Sequence, residues 1–333
     1  MSPTQTSQPR LFAPADYGGY QALANRCYPD YPGTVEELRH RDEIRDHTKY
    51  FLRRLVVEEE GRIVGSGDLH HVQWAFHPDK YHVEVMVDPD ARGRGIGTAL
   101  YEDLLRAASD RKAIQLVTGV KESMADGVEF ALHREFKESK RDWESRLDVN
   151  TFDASAFAEA PKRVAAEGIT ITTLAAELAR DAETIHAVYE LDCDCGRDVP
   201  STDAFTPLPF DSWRKEVLES PNSMPDGWYM AVDRGGRYLG VSNLWRSLED
   251  PSFIWQGLTG VRREARGKGI AMALKLKTVE YARAHGLREI KTWNDQNNWP
   301  MLRINEAMGF VKQPAWIELR KDLAFEKDLR RGT

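Results

Sequence analysis

The sequence predicts an α/β (α+β) protein made of two similar domains in tandem, each a mixed, mostly antiparallel sheet flanked by helices. Three observations predict it. First, Val87-Asp-Pro-Asp-Ala-Arg92-Gly93-Arg94-Gly95-Ile96-Gly97-Thr98 is an apolar strand that breaks at Pro89 and restarts as a helix. Second, Val261-Arg-Arg-Glu-Ala-Arg266-Gly267-Lys268-Gly269-Ile270-Ala271-Met272 is its near-copy, 174 residues further on. Third, the same offset carries Thr118 onto Thr292 and Glu135-Phe136 onto Gly309-Phe310, and the turn Glu60-Gly61-Arg62 meets Gly235-Gly236-Arg237 at 175. A long unit present twice means two domains, because solenoid units span roughly 20 to 50 residues and recur three or more times.

The first domain is expected over residues 8–150. Leu11-Phe12 starts a strand, and Pro14-Ala-Asp16 opens a helix through Tyr20, Leu23 and Cys27. The charge-rich stretch Thr34–Lys49 reads as a solvent-facing helix. Leu55–Glu58 and Ile63–Gly65 form a hairpin about Gly61. Tyr81–Val87 alternates, with Tyr81, Val83, Val85 and Val87 on one face and His82, Glu84 and Met86 on the other. After the glycine loop come a helix through Leu100 and Leu104, a strand Ile114–Thr118, a helix Met124–Arg134, and Trp143–Leu147, expected to finish the sheet. Residues 151–165 read as a linker, and 166–333 as the second domain. There the order repeats: strand Ile169–Thr172, a helix through Val188, hairpin strands Trp228–Val232 and Tyr238–Val241, and strand Phe253–Val261. A helix Gly269–Ala284, a strand Glu289–Thr292, a helix Trp299–Met308 and a closing strand Trp316–Leu319 follow. The insertion Gly196–Phe210, with three prolines and two phenylalanines, has no counterpart in the first domain and reads as a specificity element.

Composition narrows the function classes. With 41% hydrophobic and 30% charged residues the chain is a globular protein, and its net charge of -7 disfavours nucleic acid or an anionic membrane as partner. Residues 1–9 are polar, without a signal core, and no apolar run is long enough to cross a bilayer, so a cytoplasmic location is expected. Cys27, Cys193 and Cys195 are too few, and odd in number, for a disulfide framework. They read as reduced structural thiols. No metal is expected, since His70 and His71 at a strand end point to opposite faces.

Glycines let both loops curl tightly, leaving N–H groups outward at a helix N-terminus, which makes each loop an anion cradle. Two Arg-x-x-Gly-x-(Gly/Ala) loops, each followed at the same distance by a strand and a helix, and the closing Gly309-Phe310, resemble the Gcn5-related N-acetyltransferase (GNAT) superfamily over nearly the whole chain. That resemblance implies two tandem GNAT domains and acetyl-CoA as cofactor. Its pyrophosphate would lie on Arg92, Gly93, Arg94, Gly95, Ile96, Gly97 and Thr98, and on Arg266, Gly267, Lys268, Gly269, Ile270 and Ala271. The strands before and after each loop splay apart in this superfamily, which implies that the backbones of Val85, Val87, Thr259 and Val261 line the thioester. Asn298 and Met301, in the better-kept helix of the second half, are further cofactor contacts, though an Asn there also caps helices.

Acetyl transfer to a protonated amine needs a base. Glu84, on the strand beside the implied thioester, is the candidate in the first half; Leu258 replaces it in the second. The weaker second-half candidates are Glu190, Asp192 and Asp198, and Thr259 is placed to hold a water. The tyrosine acid of many family members falls on Ala131 and Asn305, so neither half has it. The expected activity is acetyl transfer to a primary amine of a small molecule, in the second half, by a monomer or homodimer. The competing expectation is a CoA-binding sensor with little turnover.

Overall fold

A computed structural model describes residues 8–323. The polar opening to residue 7, and the end of the second domain from 324 on, lie outside the described residues. The chain runs β1 (Arg10–Leu11), α1 (Tyr17–Cys27), α2 (Val35–Glu43), β2 (Leu52–Glu59), β3 (Arg62–His70), β4 (Lys80–Val87), α3 (Ile96–Asp110), β5 (Gln115–Lys121), α4 (Ala125–Leu132) and β6 (Lys137–Asp148). It continues with α5 (Glu159–Ala166), β7 (Thr170–Thr173), α6 (Leu174–Arg180), α7 (Thr184–Gly196), α8 (Phe210–Glu219), β8 (Trp228–Val232), β9 (Tyr238–Arg246) and β10 (Phe253–Val261). Helix α9 (Ile270–Ala284), β11 (Glu289–Asp295), α10 (Trp299–Ala307), β12 (Val311–Lys312) and β13 (Trp316–Asp322) complete it.

Two compact units result, one from residues up to Lys140 and from Trp316 onward, the other Arg141–Ala315. In the first, the strand order is β1-β2-β3-β4-β5-β13, and β4–β5 is the parallel pair. One face carries Tyr81, Val83, Val85 and Val87 against Ile96, Leu100 and Leu104 of α3. The other carries Val56, Ile63 and Met86 against Tyr20, Leu23 and Cys27 of α1. The period-two alternation read in β4 is thus the division between two helical layers. Helix α2 starts at a capping box, in which Thr34 Oγ1 accepts from Glu37 N at 3.2 Å and Glu37 accepts from Thr34 N at 2.5 Å. It ends at Glu43, short of the expected Lys49, and buries Leu38.

The second unit repeats the plan as β7-β8-β9-β10-β11-β6, with β12 also on β6 and β10–β11 parallel. Its α7 lies on Trp228, Met230 and Val241, and α9 brings Ile270, Ala273 and Leu274 to Ala231, Leu239 and Val261. Residues 151–165, read as a linker, hold the 3-10 turn Ala154–Phe157 and most of α5, with Phe152, Ala160 and Val164 buried. Ala160 and Val164 are four apart, one helical turn, and both face the core.

The closing strands depart from expectation. Strand β6, from the first repeat, pairs with β11 without a break from Asp142↔Asp295 to Asp148↔Glu289. Strand β13, from the second, pairs with β5 from Trp316↔Lys121 to Asp322↔Gln115. Each repeat therefore closes the other's sheet. β13 buries the alternate side chains Ile317 and Leu319 in the first unit, and β6 buries Leu147 in the second, so the apolar pattern sets which face is buried and leaves the sheet open. A fragment ending at Asn150 lacks β13 and leaves β5 unpaired along one edge; thermal unfolding by circular dichroism is expected to show no cooperative transition for it. A sharp transition would contradict the exchange.

Candidate active site

Both cradles have the same backbone. Gly93 and Gly95 stand at φ +73° and +83°, Gly267 and Gly269 at +78° and +85°, values that favour glycine. Gly95 and Gly269 are N-caps of α3 and α9, and neither cap supplies a side-chain acceptor. The helices begin with Ala99 N to Gly95 O and Ala273 N to Gly269 O, each 3.0 Å, leaving the first-turn N–H groups for an anion. Around Gly93, Gly95 and Gly267 an added Cβ would meet nothing within 4 Å. The cradles are open, and their donors fit a pyrophosphate.

The strands behind each cradle fork. In the first unit β4 and β5 pair only from Lys80↔Gln115 to His82↔Val117; in the second, β10 and β11 pair only from Phe253↔Glu289 to Trp255↔Lys291. Val85, Val87, Thr259 and Val261 lie beyond these pairs, at the open end. The two forks then differ. β4 stays in register with β3 from His82↔His70 to Val87↔Gly65, whereas β10 bulges against β9 between Gln256 and Thr259. The bulge removes Gly257 and Leu258 from regular pairing, and Gly257 is exposed.

The loop cations are tied differently from one another. Arg92 Nε donates to Val87 O at 3.3 Å and Arg266 Nε to Val261 O at 3.0 Å, so this arginine braces its own loop in both copies. Arg94 pairs with Glu59 at 2.8 Å and Lys268 with Glu167 at 3.0 Å, both on the surface. Such pairs contribute about 0–1 kcal/mol, less than the roughly 1.5–3 kcal/mol of a hydrogen bond to a charged group, so either cation can turn to a phosphate. The second cradle has one more. The Arg163 guanidinium lies 3.6–3.8 Å from where a Gly269 Cβ would stand. Sequence reading missed it because it sits in the stretch taken for a linker.

At the first cradle, Phe130 lies 3.3 Å from where a Gly97 Cβ would stand, and Thr98 Oγ1 accepts from Arg134 at 2.8 Å. Glu84 faces the α1 side, where burial raises its carboxyl above the usual range while the Tyr28 hydroxyl, donating to it, and Arg41 oppose that shift. At the second fork, Asn298 caps α10 by position without a side-chain bond. Met301, in the first turn of α10, is partly exposed. Asn305 is buried, donates to Asn294 Oδ1 at 2.6 Å, and among the described residues its own Oδ1 has no donor. Of the second-half carboxylates, Asp198 is held by Arg263 and Arg266. Asp192 accepts from Trp213 Nε1 at 2.9 Å. All three cysteines are free and buried. Among the described residues no three His, Cys, Asp or Glu side chains are grouped to hold a metal, and no helix is long and apolar enough to cross a membrane.

The model of the acetyltransferase (GNAT) family matches residues 19–134 and 185–310, more than half of the chain. The chain belongs to this family. It is an acetyl-CoA-dependent acyltransferase with two tandem GNAT units. The mycothiol acetyltransferase of Thermobifida fusca is 25% identical over 330 residues, 93% of this chain and 92% of its own. That of Streptomyces bingchenggensis is 25% identical over 78% of each chain. The tandem GNAT protein from the clavulanic acid biosynthesis pathway superposes with a TM-score of 0.73 at 21% identity, covering 96% of this chain and 99% of that one. A GCN5-related N-acetyltransferase from Sphaerobacter thermophilus gives 0.66 at 21% identity over 94% and 95%. At that identity the likeness is one of fold.

In this acetyltransferase a buried polar network backs the second fork. Gln256 Nε2 donates to Ser242 Oγ at 2.9 Å and Asn243 O at 3.2 Å. Its Oε1 accepts from Thr278 Oγ1 at 2.9 Å and from Lys275 Nζ at 3.4 Å. Ser242 Oγ lies 2.8 Å from Thr259 Oγ1, and Thr292 Oγ1 donates to Gln256 O at 3.1 Å. Four elements, α9, β9, β10 and β11, are thereby tied beside the bulge, and Thr259 is fixed within the network. Lys275 is 1% exposed, and burial lowers its amine from 10.5 to about 7.

Between about pH 7 and 10.5 the unfolded chain holds a proton on Lys275 that the folded chain lacks, so this residue makes stability rise with pH across that window. Below it, the buried charge is a constant cost. Replacing it, Lys275→Met is expected to raise the melting temperature at about pH 6, with the gain shrinking by about pH 9.5. Thermal melts at both values check this; a pH-independent difference, or a loss at pH 6, would contradict it.

Proposed function

We propose that this protein moves the acetyl group of acetyl-CoA to a primary amine of a small molecule, and that the second unit is the acetylating half. The observation that carries the choice of half is the bulge at Gly257-Leu258, beside a cradle with an extra arginine. In this reading the N–H groups of Ile270, Ala271 and Met272 hold the pyrophosphate, with Gly267, Lys268, Gly269 and Arg163 around it. Asn298 and Met301 lie along the pantetheine arm. Acetyl-CoA supplies an activated thioester, and the chain's task is to orient it, polarise its carbonyl and receive a proton from the amine.

The bulge supplies the polarising group. The N–H groups of Gly257 and Leu258, which leave the β9 ladder, need an acceptor, and a carbonyl at the fork offers one while gaining stabilisation of its developing negative charge. Asn305 is an amide that does not ionise, so the leaving thiolate takes its proton from water or from the amine itself. In the first unit β4 stays in register with β3 through Val87, with no bulge to re-aim its amides, which supports a mainly structural role there. Action on a small molecule in the cytoplasm accords with the acidic net charge.

Calorimetric titration of acetyl-CoA into the wild type, Gly95→Glu and Gly269→Glu tests the assignment. Both substitutions place bulk and negative charge in a cradle at a positive-φ position. Gly269→Glu is expected to weaken binding at least about tenfold, through lost charge-assisted bonds, and to abolish amine-dependent release of CoA. Gly95→Glu is expected to leave acetylation intact. Loss of activity with Gly95→Glu alone would move the reaction to the first unit.

A further inference from the structure

The hydrogen bonds around Gln256 run in one direction. Its side-chain amide lies 3.2 Å from Asn243 O, a carbonyl that can only accept, so the atom facing it is Nε2 and Oε1 turns to Thr278 and Lys275. Nε2 gives its second hydrogen to Ser242 Oγ at 2.9 Å. Ser242 is fully buried, and its one other side-chain partner among the described residues is Thr259 Oγ1 at 2.8 Å. Either hydroxyl could donate across that contact, and burial decides between them. If Thr259 donated, the Ser242 hydrogen would be sealed in the core without an acceptor, at a cost in free energy. Ser242 therefore donates to Thr259, and Thr259 keeps its own hydrogen for a partner outside the network. Thr259 is partly exposed, so such a partner can reach it.

Its place on the strand says which partner. β10 runs from its paired end at Phe253–Trp255 to the cradle that follows Val261. Gly257 and Leu258 leave the β9 ladder, and Thr259 rejoins it opposite Ser242, one residue nearer the cradle. Gln256, Ser242 and Thr278 meet on the α9 side of the sheet. Helix α10 packs on that side too, where Ile304 and Met308 join Leu276 of α9. A cofactor anchored at the N-terminus of α9 and passing Asn298 and Met301 lays its arm along this side of the fork. With the carbonyl on the bulge amides, the sulfur, one bond from the carbonyl carbon, lies toward the cradle. Thr259 stands about 3.3 Å from Leu258 in that direction.

We propose that Thr259 is a catalytic residue of the second unit, its hydroxyl donating a hydrogen bond to the thioester sulfur, aimed there by the chain from Gln256 through Ser242. The inference rests on the acetyltransferase reading of that unit. As the amine nitrogen bonds to the carbonyl carbon, the C–S bond breaks and its electron pair goes to sulfur, where the Thr259 O–H meets the growing negative charge. Thr259 does not give up its proton. The nitrogen loses its extra proton to water and the thiolate later takes one from water, so amide and free thiol result. A thiolate accepts more strongly than a thioester sulfur, so the contact strengthens as the bond breaks and lowers the barrier more than it tightens binding. Gln256 and Ser242 are positioning residues, because they act through Thr259. In the first unit the equivalent place is Val85, which has no hydroxyl.

Ultraviolet titration of the thiol of bound CoA tests the contact without an acceptor amine. A free thiol ionises at about pH 8.5. On the wild type and on Thr259→Ser, bound CoA is expected to ionise at least about one pH unit lower than on Thr259→Val, with calorimetric affinity for acetyl-CoA alike in all three. CoA held by the first cradle adds the same background to each. Gln256→Glu, beside Lys275, presents an acceptor to Ser242 in place of a donor. Ser242 then donates to it, Thr259 turns its hydrogen inward, and bound CoA is expected to titrate as on Thr259→Val although the hydroxyl remains. Equal titration on the wild type and Thr259→Val, or a Gln256→Glu protein that titrates like the wild type, would overturn the proposal. A thiol lowered by the wild type and not by Thr259→Val, in a protein that releases no CoA from acetyl-CoA across a panel of primary amines, would uphold the contact and count against the acetyltransferase reading.

Discussion

Backbone polarity at the fork of β10 and β11 constrains the rest of the second unit. Parallel strands satisfy each other's N–H and C=O groups only while they stay paired, and here pairing ends at Trp255 and Lys291. Gln256, the next residue, is buried and takes over with its side chain. Its amide reaches Ser242, Asn243, Thr278 and Lys275, and its carbonyl O accepts from Thr292. Leaving any one of these groups unpaired in the core costs about 1–3 kcal/mol, so the fork and the bulge that follows it have few alternatives. Thr259 and the bulge amides are held still by that network, which is what a polarising site requires.

The two units keep the same cradle and differ in what surrounds it. Four glycines at positive φ and two uncapped helix N-termini repeat almost unchanged. Beyond them, the first unit fills the start of α3 with Phe130 and Arg134, whereas the second brings Arg163 toward its cradle and adds the insertion over α7. An unbroken ladder on β4 and a bulge on β10 complete the contrast. The two units share the glycine-loop geometry, and they diverge in the strands and loops around it.

Much of this was legible in the sequence because glycine-dependent turns leave an unambiguous trace. Gly93, Gly95, Gly267 and Gly269 marked both cradles, and the alternation of Tyr81–Val87 gave the facing of β4 correctly. The exchange of β6 and β13 was not legible, since an alternating strand specifies a face and carries no record of its partner. Arg163 was hidden by the alanine-rich composition of its segment; the spacing of Ala160 and Val164 was the signal available. Asp192 was one of three second-half carboxylates of equal standing on paper. Its spacing from Val188 and Cys195, both buried, was the clue that it reaches the Trp213 indole.

Hydrogen exchange read by mass spectrometry, with and without acetyl-CoA, tests the central claim that the second fork and cradle hold the thioester. Slowed exchange is expected at the amides of residues 257–259 and 270–272. Protection confined to residues 85–98, with the second unit unchanged, would contradict it and make the first unit the site of reaction.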